Sequence, residues 1–278
     1  MHPDFESVVC PLCGASDGLP VCDTGQFGLP CHVTICPRDG LVFLNPRWTR
    51  ERLQHFYRVE YDHYYRPEVL GAESDESKFR TIRTICDRLA STGVLTRARS
   101  VVDVGAGMGW SLEWIRRHYP GVHERCAIES SAHCIAHIRD QLGAHVLASD
   151  LDEPWSRTGF DLVLMRHVLE HTLDPVRSLR QVAQHLEPDG LLYLAVPDML
   201  HPYQQDLRIS WFRTVHTFYF SAATLQGIAA LAGLVCEQVH PAGHEIWGVF
   251  RRDEAAARQL RVPSVFTQQA AVLGASPT

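Results

Sequence analysis

The feature that most constrains this chain is a glycine cluster set between a strand pattern and a helix pattern, Asp103-Val-Gly105-Ala106-Gly107-Met-Gly109. Residues 100–104 form the apolar, β-branched run of a buried strand, and Leu112, Trp114, Ile115 and His118 then fall at helical spacing. Glycines at such a junction let the backbone approach a ligand without Cβ clashes, while the helix start supplies partial positive charge. The alternation repeats downstream. Strands are expected at 125–129, 145–147, 160–165 and 191–196, with a helix from 131 to about 142 and, after the fourth strand, a Leu- and Arg-rich helix that ends near 186. Ser221 has the character of an N-cap for a helix over 222–232, and residues 235–239 and 246–250 read as a closing strand pair. Short apolar runs alternating with helical patterns specify βαβ units, so the fold class is α/β with a Rossmann-like sheet.

A glycine loop alone does not name its ligand. The dinucleotide fingerprint wants glycines at loop positions 1, 3 and 6, and counting from Gly105 the sixth position is Trp110. A nicotinamide-dependent oxidoreductase is therefore the weaker alternative. The 1-3-5 spacing with Asp103 upstream instead resembles the first motif of class I S-adenosylmethionine-dependent methyltransferases, and the resemblance runs over residues 100–250, where it implies the seven-stranded sheet of that family. Glu129 stands 24 residues after Gly105, where the family places a carboxylate on the ribose hydroxyls. Asp150 and Leu151 follow the third strand, where the family sets an acidic side chain against the adenine amino group and an apolar one beside it. The segment from Phe160 to Pro175 and that from Leu186 to Pro197 resemble the family's fourth-strand motif and its turn into the fifth strand. The resemblance implies S-adenosylmethionine as cofactor, contacted by Asp103, Gly105, Ala106, Gly107, Gly109, Glu129, Asp150 and Leu151.

At 278 residues the chain is long enough for about two domains. Its texture suggests four zones: a small β unit at 1–45, a helical linker or lid at 46–99 with a polar interruption at 73–77, the methyltransferase-like region at 100–250, and a C-terminal helix and tail at 251–278. No stretch approaches the roughly 20 uninterrupted apolar residues that span a bilayer, and the N-terminus lacks the build of a signal peptide, so a cytoplasmic location is expected. A net charge of −6 gives no electrostatic footprint for nucleic acid. The expected partner is a small-molecule acceptor rather than nucleic acid or membrane; the sequence carries no signal for an oligomeric state.

Five of the nine cysteines lie in the first 36 residues. Without an export signal such a cluster argues against disulfides and points to metal or to chance. Cys10-Pro-Leu-Cys13-Gly14 has the form of a zinc knuckle, and 22 residues later Cys36-Pro-Arg-Asp39-Gly40 repeats it with Asp39 in place of the second cysteine. With the following residues 41–47, this segment resembles the zinc ribbon of methyltransferases in bacterial sugar and natural-product pathways. Three outcomes remain open: Asp39 as an oxygen ligand beside Cys10, Cys13 and Cys36, a fourth ligand from Cys22, Cys31 or His32, or a metal-free turn. In any of them the unit is structural, because a closed four-ligand site has no position for substrate.

The chemistry is expected at the carboxyl ends of the strands. His167, Glu170 and His171 follow the fourth strand, and on a helix the two histidines would stand at i and i+4 with Glu170 beside them. Histidine titrates near neutrality and suits a general base. A bland reading competes: the trio supports the cofactor pocket. So does a metal reading, since His-x-x-Glu-His is similar to the Glu-x-x-Glu-His of some magnesium-dependent O-methyltransferases, with His216 as a further ligand. The segment 211–221, which contains His216, is expected to overhang the site, as are Tyr57, Tyr61, Tyr64 and Tyr65. The resemblance implies methylation of a small polar acceptor, foremost O-methylation of a saccharide or natural-product hydroxyl, and next C-methylation of a nucleotide sugar. From a different class, the same chain could be an inactive methyltransferase-like binding scaffold.

Overall fold

The structure is a computed structural model that describes residues 3–60, 63–64, 75–203 and 206–274. Tyr61, Tyr65 and the first part of the polar interruption lie outside the described residues.

The chain starts with short strands and two cysteine-bearing turns. β1 (Phe5–Glu6) pairs with β5 (Arg47–Trp48). Strands β2 (Leu19–Thr24), β3 (Pro30–Ile35) and β4 (Val42–Leu44) form an antiparallel sheet, and its fourth strand, β11 (Phe218–Tyr219), comes from far along the chain. Phe43 stands opposite Phe218 and Val42 opposite Tyr219. The N-terminal residues thus share a sheet with the 100–250 region. They also share its core, because Cys10, Cys36, Leu41 and Phe43 pack in one buried cluster with Phe218, Phe220 and Leu225. The last helix, Phe266–Leu273, closes over the second knuckle: the Val265 amide donates to the Asp39 carbonyl at 3.0 Å. A Cβ on Gly40 would stand 2.5 Å from the Phe266 amide nitrogen, which together with its φ of +86° explains the glycine there.

The main sheet has seven strands. In chain order these are β6 (Ser100–Val104), β7 (Glu124–Ile128), β8 (His145–Ala148), β9 (Phe160–Arg166), β10 (Leu186–Pro197), β12 (Leu234–Ala242) and β13 (Glu245–Arg252). Their spatial order is β12-β13-β10-β9-β6-β7-β8. β6 through β10 run parallel to one another, and β13 runs antiparallel to both strands beside it, β10 and β12. β10 begins at Leu186, earlier than its apolar run suggests, and its register with β9 is broken between Leu186 and Leu191.

Both faces of this sheet are buried, which is why its strands read as continuous apolar runs rather than as alternations. Val101, Ala127, Leu162, Leu164 and Tyr193 face helices Asp75–Leu89, Trp110–His118 and Ala132–Asp140, through Ile82, Ile85, Ile115 and Ile138. Their sequence neighbours Val102, Val104, Val163 and Met165 face helices Pro175–His185 and Ala222–Leu231, through Leu179, Val182, Leu225 and Ile228. The N-caps of these two helices are Asp174 and Ser221, and Ser221 forms a capping box with Thr224. Among the described residues no helix is long and apolar enough to cross a membrane.

Candidate active site

β6 lies where the strand order reverses, with β9 on one side and β7 on the other. Open α/β sheets bind their ligands in the crevice at the carboxyl ends of such strands. The glycine loop occupies this place, and its three glycines have different reasons to be glycine. All have positive φ: +71° at Gly105, +54° at Gly107 and +75° at Gly109. A Cβ on Gly105 would meet Val168 Cγ2 at 2.5 Å, and one on Gly109 would meet Leu142 Cδ1 at 2.7 Å. A Cβ on Gly107 would meet no atom of the described residues within 4 Å. Gly107 therefore faces open space at the start of helix Trp110–His118, where a ligand can approach the backbone.

Glu129 follows β7 and turns toward this loop. It is buried, its Oε2 accepts the Gly107 amide at 2.7 Å and its Oε1 accepts the Ser131 amide at 2.8 Å. Asp103 is also buried. Loss of hydration, opposed by a hydrogen bond with Ser111 and reinforced by the nearby Glu129 charge, pushes its carboxyl up to about 7. Ala106 continues the loop, its amide donating to the Ile128 carbonyl at 3.3 Å. Asp150 lies just beyond β8, exposed, its Oδ1 accepting the Asp152 amide, while Leu151 is buried in the main core.

A cleft of about 380 Å³ opens beside the loop, off the ends of β9 and β10. Its walls include Arg166, His167, Glu170, His171, Pro197 and Glu245, and Trp211, Arg213, Val215 and His216 close over it. His167, Glu170, His171 and His216 are thus brought together, though not on one α-helix as the spacing suggested. His167 has a left-handed φ of +54°, and Glu170 and His171 sit on a single 3₁₀ turn, Leu169–His171. Tyr57 joins them, its hydroxyl 3.0 Å from His171 Nδ1, whereas Tyr64 stacks on the buried Phe56 instead.

The three histidines differ in charge. Burial disfavours an imidazolium at His167, but Glu170 Oε1 at 3.1 Å from Nδ1 and Glu245 Oε2 at 3.0 Å from Nε2 outweigh it and raise its pKa to about 9. Glu245 in turn loses hydration yet is held at about 2 by His167, Arg88 and Arg166. His171 and His216 are moved the other way, because burial withdraws the hydration an imidazolium needs; the shift is larger at His216. His171 Nδ1 lies 3.0 Å from the Val215 carbonyl, which only accepts, so this nitrogen carries the proton and Nε2 keeps a lone pair. Sequence reasoning missed Glu245, Arg88 and Arg166. Glu245 reaches the site because β13 places it opposite Pro197, a register that no local signal reveals.

The cysteine site is a separate centre. Cys10, Cys13, Cys36 and Asp39 each bring a donor atom to within 4.8 Å of the other three. The Cys10 thiol donates to Asp39 Oδ2 at 3.2 Å, and the sulfurs of Cys13 and Cys36 are 3.5 Å apart. The two turns are alike: the Gly14 and Gly40 amides donate to the Cys10 and Cys36 carbonyls at 2.8 and 2.9 Å. Contact with Cys10 draws the Cys36 thiol down to about 6, while burial pushes Cys13 up to about 12. This S₃O set has the size and convergence of a tetrahedral site. The other candidates for the fourth ligand are engaged elsewhere: Cys22 and Cys31 belong to β2 and β3, Cys31 lies against the Tyr219 hydroxyl, and His32 contacts Asp23.

A parallel sheet closed by one reversed strand, a glycine loop at its switch point and a carboxylate just after the next strand define a class I S-adenosylmethionine-dependent methyltransferase. The chain belongs to the methyltransferase domain family, whose profile matches residues 74–239. Among solved structures it is similar to a Clostridium acetobutylicum S-adenosylmethionine-dependent methyltransferase, with a TM-score of 0.50, 11% identity, and coverage of 72% of this chain and 98% of that one. A Galdieria sulphuraria protein, provisionally described as a sarcosine dimethylglycine methyltransferase, gives a TM-score of 0.50 and 17% identity over 64% of this chain and 86% of that one. An O-methyltransferase family protein from Burkholderia thailandensis gives 0.49 and 18% identity, covering 65% of this chain and 58% of that one. No curated protein matches the sequence.

Proposed function

We propose that this methyltransferase acts on a hydroxyl of a small polar molecule, a saccharide or a natural-product scaffold. The carrying observation is the junction of the two half-sites: Gly105 of the cofactor loop packs against Val168, the residue between His167 and the turn that bears Glu170 and His171. A cofactor on the loop therefore presents its methyl group toward a cleft that holds an uncharged imidazole with a free lone pair.

In this reading Glu129 receives the ribose hydroxyls on the lone pairs left after it has accepted the Gly107 and Ser131 amides. Asp150 faces the adenine amino group and Leu151 packs nearby. The acceptor hydroxyl gives its proton to His171 Nε2 as its oxygen bonds to the methyl carbon, and the carbon–sulfur electron pair leaves with sulfur, releasing adenosylhomocysteine. His167, charged and clamped by two carboxylates, orients Glu170 rather than accepting a proton. Cys10, Cys13, Cys36 and Asp39 hold a structural zinc ion that fixes the N-terminal turns, and the enzyme works in the cytoplasm.

Incubation with deuterated-methyl S-adenosylmethionine and a pool of hydroxylated metabolites, followed by mass spectrometry, tests the acceptor class. The expected product carries the label on oxygen. Label found only on carbon, as in a nucleotide-sugar C-methyl product, or only on nitrogen would overturn the O-methyl reading. Cofactor binding without any turnover would favour an inactive scaffold.

A further inference from the structure

Three donor groups in the acceptor cleft remain once its hydrogen bonds are assigned. Glu170 is 1% exposed; its Oε1 meets His167, and among the described residues its buried Oε2 has no hydrogen-bond partner. His171 commits its Nδ1 proton to the Val215 carbonyl, and its Nε2 stands 4.0 Å from Glu170 Oε1, too far for a hydrogen bond. His216 comes from the opposite wall with its ring perpendicular to that of His171, centroids 4.7 Å apart. Among the described residues nothing hydrogen-bonds to the His216 ring. One donor atom from each of the three lies within 4.8 Å of the others, beside the open cleft. Buried carboxylate oxygens and imidazole lone pairs without partners are costly. A shared cation satisfies all three.

We infer that Glu170, His171 and His216 bind a divalent transition-metal ion of the zinc type at the floor of the acceptor cleft. Two neutral imidazoles and one carboxylate make a borderline donor set that suits zinc, cobalt or iron, whereas magnesium prefers oxygen ligands. The Val215 carbonyl orients His171 as an outer partner orients a metal-bound imidazole. Ligands around zinc at about 2.1 Å stand roughly 3–3.5 Å apart, so binding draws the three slightly together. Three protein ligands leave coordination positions open toward the cleft. Within the methyl-transfer reading on which its role rests, an ion held by Glu170, His171 and His216 would supply Lewis-acid activation of the acceptor hydroxyl, in place of the proton transfer to an unmetallated His171.

The test is the metal content of the intact chain. Chelator-stripped protein is reconstituted with zinc or cobalt and the bound metal counted. Thiolate-to-cobalt charge transfer in the near ultraviolet reports the cysteine site, and visible d–d bands without it report the nitrogen–oxygen site. Wild type is expected to bind one ion at a site without thiolate bands, beside any ion at the cysteines. His216→Asn should lose that ion and keep the thiolate bands, and Cys13→Ser should do the reverse. If the wild type binds only thiolate-coordinated metal, or only magnesium, the inference is overturned on the wild-type measurement alone. Calorimetry with adenosylhomocysteine on the metal-free protein separates failure of the ion site from failure of the methyltransferase reading.

Discussion

The Gly107 amide donates to the Glu129 carboxylate across 2.7 Å, so the glycine loop after β6 and the residue after β7 close on each other at the switch point of the sheet. A Cβ added at Gly107 would meet no atom of the described residues within 4 Å, so among them the loop is open beside that carboxylate. Glu129→Ala removes both the loop contact and the expected ribose acceptor. We expect adenosylhomocysteine affinity to fall at least tenfold, about 1.4 kcal/mol, and Glu129→Gln to lose less. Calorimetry checks both; unchanged affinity in the alanine variant would refute the ribose role.

Two glycine substitutions should separate binding from folding. Gly107→Ala costs only the strain of a left-handed backbone, about 1–2 kcal/mol, yet puts a methyl group where the cofactor approaches. Gly109→Ala adds an overlap with Leu142 and Ile138, at 2.7 and 3.0 Å, to the same backbone strain, for a total of about 2–4 kcal/mol. Thermal unfolding and cofactor titration on each variant should therefore rank them in opposite orders.

His167 gives the fold a pH signature. Its pKa is about 9 in the folded chain against an ordinary value of 6.5. A group whose pKa is raised by folding stabilises fully below its unfolded value, and that stabilisation disappears as pH rises through the folded value. Stability should thus decline between pH 6.5 and 9, and the His167→Gln variant should show a flatter profile over that window. Melting temperatures measured at half-unit steps decide this.

If the proposed zinc occupies the knuckles, its removal should be felt at the C-terminus. The Val265 amide bonds to the Asp39 carbonyl, and the start of helix Phe266–Leu273 packs on Gly40. Chelation or Cys13→Ser should lower the melting temperature by about 5–10 °C and speed amide exchange in residues 266–273. Exchange there that ignores chelation would disconnect the helix from the site.

Much of the catalytic fold is legible in the sequence because its strands are buried on two faces. Val101 and Val102 point opposite ways, and each meets a helix, so a plain apolar run marks the strand. The knuckles are legible because tight turns fix their spacing, and Asp39 stands where that spacing places a donor. What could not be read depends on distant pairing. Phe218–Tyr219 reads as part of an aromatic lid, yet as β11 it adds a strand to the N-terminal sheet. Arg88 meets Glu245 across 157 positions, an encounter set by helix Asp75–Leu89 docking against the far end of the sheet. The expected helical face of His167, Glu170 and His171 came together by another route: a left-handed residue followed by a 3₁₀ turn converges the side chains that a regular helix would have aligned.

The most direct test of the methyltransferase assignment is calorimetric titration of the purified protein with S-adenosylmethionine, adenosylhomocysteine and NAD in parallel. The first two are expected to bind one per chain in the micromolar range, with no heat from NAD. Binding of NAD without S-adenosylmethionine or adenosylhomocysteine would contradict the roles of the glycine loop and Glu129.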